Sequence, residues 1–598
     1  MQRIAARIAI GLTALFLVSA CASMGTNNAS SSNAEVEKLH ELFHEAWERD
    51  LRENPMMATY QGDDRYNDTW GEFGFDVRTR SMEADKEILA KLEEIDRNAL
   101  PEDEQLNYDL FRKEYESRIE QYGYREYLIP LNQRGGIQTL GQNTRYLRFD
   151  DKKDYQDYIK RLKTFDELMD WTLTLMQKGV DEGWTQPRVI NERILPQIQD
   201  VIVEDPTKSD FYSPFRTLPD SLSDTEMSEL RSEAARAIKT VVMPAYERMA
   251  EFFENTYLPA SRPAVGAWSM PGGREWYAWK AKQYTTTELT PEEIHQIGLD
   301  EVKRIRSEMM AIIKQVEFDG GFDEFLEFLR TDPQFYYEDP QELLEAYRAI
   351  SKEIDPKVVP LFGKMPRMPY GVEPIPDAIA PDTTTAYYMR PAPDGSRAGT
   401  YFVNLHKPES RPTYEMPVLS VHEAVPGHHF QIALAQELGD LPNFRRYGGY
   451  TAFVEGWGLY SESLGEEMGL YEDPYDKFGQ LTYEMWRAVR LVVDTGMHYK
   501  EWTRQQAIDF FMENAAKSEL DIINEIDRYI AWPGQALAYK IGELRIKALR
   551  ERAEGALGDD FDIKGFHDTV LGSGAVPLDI LERNIEEWID AEQARLRD

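Results

Sequence analysis

A mainly α-helical, two-lobed fold with one small β element is what the sequence predicts, and three observations carry that prediction. Apolar residues recur at helical spacing over long stretches, two helices announce themselves by capping sequences, and only one short segment reads as a strand. A hydrophobic fraction of 42% with 12% aromatics in 598 residues fills a large core, so disorder is excluded beyond the amino-terminal segment. No Gly/Ser linker, low-complexity tract or repeat divides the body. Residues 35–598 therefore read as one domain of two lobes, with an approximate boundary near residue 290.

At the amino terminus, Met1–Ala20 carries Arg3 and Arg7, then an apolar run from Ile8 to Val18, then small residues. This is the layout of a secretory signal, and it is too short to span a bilayer comfortably. Val18-Ser19-Ala20-Cys21 resembles a bacterial lipobox, whose cysteine is lipidated and becomes the first residue of the mature chain. Cys21 is the only cysteine, which leaves no intramolecular disulfide and no thiolate metal site, so its simplest use is as a membrane anchor. Ala22 in place of Asp, by resemblance to Gram-negative lipoproteins, implies an outer-membrane protein facing the periplasm or exposed outside. Residues 21–34, rich in Ser and Asn, read as a flexible tether. The formal charge is -38, and loss of a leader with two Arg and no acid takes it to -40. Such a chain is a poor partner for nucleic acid or an anionic membrane surface, so its contact with the membrane is expected through the lipid alone.

In the body, Leu230, Ala234, Ile238, Val241, Ala245 and Met249 form a helical stripe that reads as core. Thr290-Pro291-Glu292-Glu293 supplies a cap, a first-turn proline and a capping-box glutamate ahead of Ile294, Val302, Ile305, Met309 and Ile312. Thr503 with Gln506 opens another helix before Ala507, Phe510 and Phe511. The best strand is Gly399–Leu405, just upstream of a histidine cluster; there a strand can pair with an extended substrate backbone, which makes Tyr401 and Asn404 candidate substrate contacts.

That cluster is Val421-His-Glu-Ala-Val-Pro-Gly-His-His-Phe-Gln431, with three of nine histidines and a glutamate between His422 and His429. Neutral imidazoles bind a catalytic zinc ion, and an adjoining carboxylate takes a proton from water. Glu455, in Phe-Val-Glu-Gly-Trp, offers a third ligand. An ordinary zinc helix writes H-E-x-x-H, since residues four apart share a face. Here the fifth position is Pro426, and His429, seven residues on, returns to the face of His422 but about 10.5 Å along the axis. The helix is therefore expected to be distorted, and Pro426-Gly427 supplies the means.

H-E-A-V-P-G-H-H-F-Q, then F-V-E-G-W-G-L-Y-S-E, then R-L-V-V-D-T-G-M-H, then R-Y-I-A-W-P-G-Q-A-L-A-Y-K-I-G-E-L together resemble the bacterial domain-of-unknown-function 885 family, from about residue 35 to the end. That family is similar in helical build to zinc peptidases of the angiotensin-converting-enzyme, oligopeptidase and thermostable-carboxypeptidase groups. The resemblance implies a large zincin-like fold with a small sheet beside the active-site helix, one zinc ion, and short-peptide substrates. It implies metal ligands His422, His428 and Glu455, with His428 preferred to His429 because glycine precedes the ligand in related motifs, and Glu423 as the general base.

Six further residues are candidate catalytic, substrate or supporting groups. His498 follows Asp494 by one helical turn, where the carboxylate can orient the ring toward a tetrahedral oxyanion. Tyr529 or Tyr539 can donate to the same oxyanion, and Arg528 can hold a substrate carboxylate. His429 is a candidate substrate contact and Glu462 a candidate partner for a ligand histidine. The reading is a zinc metallopeptidase; its alternative is a non-catalytic metal-binding envelope lipoprotein. A serine esterase is disfavoured, since there is no G-x-S-x-G elbow and Gly572-Ser573-Gly574 lacks the spacing. Replacing Cys21 with Ser is expected to move the mature chain from the membrane to the soluble fraction; retention in membranes washed at high salt overturns the anchor.

Overall fold

A computed structural model describes residues 32–377, 380, 384–392, 395, 397–439, 441–515 and 517–597. Cys21 and the leader lie outside the described residues. The first helix, α1, covers residues 32–53 and so takes in the last three residues expected in the tether. Glu35 and Glu37 near its start favour a helix there. It packs with α2 (Phe75–Glu93) and α3 (Glu102–Gln121) around Leu39, Phe43, Leu92 and Phe111. No helix among the described residues is long and apolar enough to cross a membrane.

The predicted stripe at 230–249 is core: Leu230, Ala234, Ile238, Ala245 and Met249 are buried and Val241 is half-buried. Helix α4 (Pro291–Gln315) starts where its cap predicts, with Thr290 Oγ1 accepting from Glu293 N at 3.3 Å and Glu293 Oε2 accepting from Thr290 N at 2.8 Å. The capping box at Thr503 and Gln506 likewise opens a helix over Arg504–Asn514. Residue 290 does not divide the core. The two largest apolar clusters each draw residues from both sides of it, since one combines Ile190 and Met249 with Phe478–Met497, and the other combines Trp276 with Trp457 and Ile541.

The sheet has three strands, β1 (Tyr370–Pro374), β2 (Ala386–Met389) and β3 (Gly399–Val403), in the order β1-β3-β2. β3 is parallel to β1 and antiparallel to β2. It is thus the central strand, with both backbone edges already paired, and a substrate cannot add to it. Tyr401 is fully buried against Tyr347, and Asn404, 1% exposed, bonds Ala380 O and Thr384 O and accepts from His406 N. Neither is a substrate contact. The alternation of β3, buried at positions 399, 401 and 403, points Tyr401 and Val403 into the core instead.

Six helices surround the histidine cluster: α5 (Met416–Glu423), α6 (His428–Gln436), α7 (Thr451–Leu464), α8 (Pro474–His498), α9 (Glu519–Ala531) and α10 (Ala538–Leu557). α8 is buried along nearly its whole length from Phe478, and its buried charged residues are paired or hydrogen-bonded, Glu484 with Lys540, Arg487 with Glu462, Arg490 with Glu525 and Asp494 with Tyr277. α7 and α10 cross at glycines: a methyl group on Gly456 would lie 2.5 Å from Gly542 Cα, and one on Gly542 would lie 2.0 Å from Ala452 O. Gly542→Ala is therefore expected to cost about 1–3 kcal/mol through overpacking. Gly555→Ala, exposed on the same helix with nothing within 4 Å, is expected to be neutral or stabilising by about 0.5–1 kcal/mol. Denaturant midpoints measure both, and equal midpoints for the two variants would refute the tight crossing.

Candidate metal centre

The expected distortion is a complete break. α5 ends at Glu423, Ala424 takes φ -105° and ψ -98°, and α6 begins at His428. Across the gap the backbone bonds run six residues back, Gly427 N to Val421 O at 3.0 Å and Phe430 N to Ala424 O at 3.3 Å. Gly427 is required, since a methyl group there would sit 1.9 Å from His422 O. Trp457 Nε1 of α7 donates to Pro426 O at 2.8 Å and fixes the loop in place. The tight turn brings the His422 and His428 rings to 4.6 Å between centroids, nearly perpendicular at 84°.

α7 supplies the other wall. Glu455, Gly458 and Glu462, at helical spacing, share one face. Glu455 Oε2 lies 3.8 Å from His422 Nε2 and 3.5 Å from His428 Nε2. Gly458 makes room for the ring, because a methyl group there would be 2.8 Å from His422 Cε1. Glu462, fully buried, lies 2.8 Å from His422 Nδ1 and is itself held by Arg487 at 3.4 Å. With the proton on Nδ1 and donated to Glu462, Nε2 is free to face Glu455.

His422, His428 and Glu455 are the group of described residues able to share an ion, their ligand atoms lying within 4.8 Å of one another. A tetrahedral zinc ion with bonds of about 2.0–2.1 Å spaces its donors roughly 3.3 Å apart, so the donor set fits with slight contraction. Electrostatics point the same way. Burial disfavours a charged His422, but the Glu455 and Glu462 carboxylates outweigh it and push the pKa up to about 9. Burial alone would raise Glu455; the two histidines bring it well below the usual carboxylate range. Two carboxylates around two imidazoles call for positive charge, which a divalent cation supplies. Glu423, half-buried beside His422, stands outside the ligand group and makes no hydrogen bond or ion pair with a described residue.

The other sequence candidates separate. His429 turns to the sheet, 2% exposed, with Nδ1 at 2.9 Å from Tyr388 Oη and Nε2 at 3.0 Å from Met368 O, so it has no nitrogen left for a substrate. His498 is not oriented by Asp494. Its Nδ1 accepts from Ala267 N at 3.1 Å and its Nε2 donates to Tyr529 O at 3.0 Å, while Asp494 takes Tyr277 Oη at 2.5 Å and Gly534 N at 3.1 Å. Burial lowers the His498 pKa to about 3, and the neutral ring ties three segments together with no donor for an oxyanion. Tyr529, 1% exposed, accepts from Arg490 and Trp486 and donates to Glu525 at 2.6 Å, so its hydroxyl is spent. Tyr539 remains. It is half-buried under the Arg490 guanidinium, which lies 4.5 Å from its ring centroid, and burial and the Glu455 carboxylate raise its pKa against Arg490, Arg528 and a hydrogen bond with Gln535. Sequence reasoning passed over Gly458, Trp457, Arg487 and Arg490; the small residue three positions after Glu455 was the available signal for the first.

Fold and site thus define a mainly α protein with a His2Glu cluster able to hold a metal. The chain belongs to the family of bacterial proteins of unknown function DUF885, whose pattern matches residues 55–585. It is similar to a "putative lipoprotein" from Colwellia psychrerythraea, with a TM-score of 0.83 and 32% identity over 93% of this chain and 100% of that one. A "putative lipoprotein of unknown function" from Shewanella oneidensis shares the fold at a TM-score of 0.71 and 18% identity, over 93% of this chain and 99% of that one. No curated protein matches the chain.

His422→Ala, His428→Ala and Glu455→Ala are each expected to abolish stoichiometric zinc binding, measured by metal analysis after dialysis, while His429→Ala retains it. Glu462→Gln is expected to weaken affinity by about 10–100-fold. Full zinc content in the His428 variant would remove it from the ligand set.

Proposed function

We propose that the protein is a zinc-dependent hydrolase that cleaves peptide bonds of short peptides at the cell envelope, held there by a lipid on Cys21. One observation carries the reading: an unengaged carboxylate, Glu423, adjoins a three-ligand cluster whose geometry suits zinc with an open position. A protein that merely stored the metal would have no use for that free base. The two neighbours described as lipoproteins support the envelope location.

Zinc at such a site supplies Lewis acidity toward water and toward a carbonyl. Glu423 accepts a proton from the attacking water as its oxygen bonds to the scissile carbon. Tyr539 donates a hydrogen bond to the oxyanion that develops. The carbon–nitrogen bond then breaks, and Glu423 returns the proton to the departing amine. Glu462 and Arg487 hold the His422 ring throughout. Side chains at the centre are only slightly open, 4% for His422, 12% for His428 and 21% for Glu455, so a flexible peptide can enter where a folded chain cannot.

Glu423→Gln keeps size and polarity but removes basicity, and loss of a positioned general base costs on the order of 10²–10⁴ in rate. The expected result is full zinc content, a normal denaturation midpoint and peptide hydrolysis lower by that range, with chelated wild type as blank. Equal cleavage by the variant would refute the assignment of Glu423. Failure of zinc-loaded wild type to cleave any member of a mixed peptide library would favour the non-catalytic metal-binding lipoprotein.

A further inference from the structure

Beside the metal centre the sign of the charge reverses. Arg490 of α8 and Arg528 of α9, 5% and 8% exposed, both bond Glu525, at 3.2 Å from Arg490 Nη2 and 2.9 Å from Arg528 Nη2. Arg528 also donates to Gln535 at 2.8 Å, and Arg490 lies over the Tyr539 ring at 4.5 Å from its centroid. Arg134, exposed, lines a cavity that Ile530 and Trp532, just past Arg528 in the chain, also line. Among the described residues Arg134 pairs with no carboxylate, and Nη1 of Arg490 is buried without a hydrogen-bond partner. Two buried guanidinium groups thus share one carboxylate, with a third exposed nearby, in a chain of formal charge -38. Burying an uncompensated guanidinium is costly, so the cluster is built for a further anion.

Position says which anion. Tyr539 lies one turn before Gly542, which packs backbone to backbone on Gly456 next to Glu455, and the cavity that Arg134 lines, of about 340 Å³, is walled by Met270, Trp276, Ile530 and Trp532 together with Glu126, Arg262 and His498. A planar carboxylate suits paired guanidinium donors, and a neighbouring cavity with two tryptophans in its wall suits a large side chain on the same residue. We infer that Arg134, Arg490 and Arg528 bind the free carboxylate of a peptide's last residue, with its side chain in this cavity, making the protein a carboxy-terminal exopeptidase that prefers large apolar terminal residues. The inference rests on the peptidase reading and deepens it: water adds across a peptide bond near the end of the chain, and one or two terminal residues leave.

The test uses zinc-loaded full chain and pairs of peptides identical except for a free or amidated carboxyl terminus, each ending in Phe or in Asp. Free-acid peptides ending in Phe should be cleaved about 10–100-fold more efficiently than their amides, the range of one or two charge-assisted hydrogen bonds. Arg134→Gln should raise KM for the free acids more than it lowers kcat, moving the acid-to-amide ratio toward one, and Arg528→Gln should do the same. Chelator-sensitive cleavage of acid and amide at equal rates overturns the carboxylate site while leaving the metallopeptidase intact. If no peptide is cleaved, the peptidase reading fails, and equilibrium binding of the same pairs still decides: equal affinity for acid and amide overturns the site.

Discussion

One face of α7 is the constraint on which the centre depends. Glu455, Gly458 and Glu462 lie at helical spacing, so one rigid element presents a metal ligand, an empty space and a buried carboxylate to a single imidazole. The His422 ring fills the space over Gly458, is fixed at Nδ1 by Glu462, and turns Nε2 toward Glu455. Because α7 in turn touches α10 backbone to backbone at Gly456 and Gly542, the position of Glu455 is passed on to Tyr539, one turn before Gly542. Glu455 and Tyr539 are therefore placed by close helix packing and not by loops.

The break between α5 and α6 follows from the same geometry. A continuous helix would send a ligand six residues after His422 to the wrong face, and one seven residues on too far along the axis. Ending α5 at Glu423 and restarting at His428 shortens the path between the two rings, and Trp457 of α7 fixes the turn through Pro426 O. Glu423 gains from its place at the helix end: past it the chain departs, which leaves its carboxylate half-open beside the metal ligands instead of packed against a following turn.

Much of this was legible in the chain itself because it is written at short range. Capping boxes at Thr290 and Thr503 and the stripe at 230–249 depend on residues within a turn or two of one another, and the His422, His428 and Glu455 group stands out through two short motifs some thirty residues apart. The misassigned residues depend on distant segments. His498 has the spacing to Asp494 of an oriented catalytic pair, yet its ring is claimed by backbone groups of Ala267 and Tyr529. Tyr401 and Asn404 sit on a segment that reads correctly as a strand, but spacing cannot reveal that β1 and β2 cover both of its edges. Spacing is equally silent on how α8 lends its faces to both large cores.

Net charge and local charge act at different ranges. Mobile ions screen exposed charges beyond about 8 Å at physiological ionic strength, whereas groups inside a protein are screened far less. The acidic surface therefore sets solubility and discourages polyanions without fixing what the interior can hold. At the centre, Glu455 and Glu462 draw a cation; a short way off, beyond Tyr539, Arg490 and Arg528 draw an anion. A peptide is polarised in a matching sense, with a carbonyl oxygen that seeks the cation and a terminal carboxylate that seeks the guanidinium groups. In the proposed hydrolysis, two sites of opposite sign with one tyrosine on a tightly crossed helix between them would orient such a chain before any proton moves, and that ordering would be entropy already removed from the reaction.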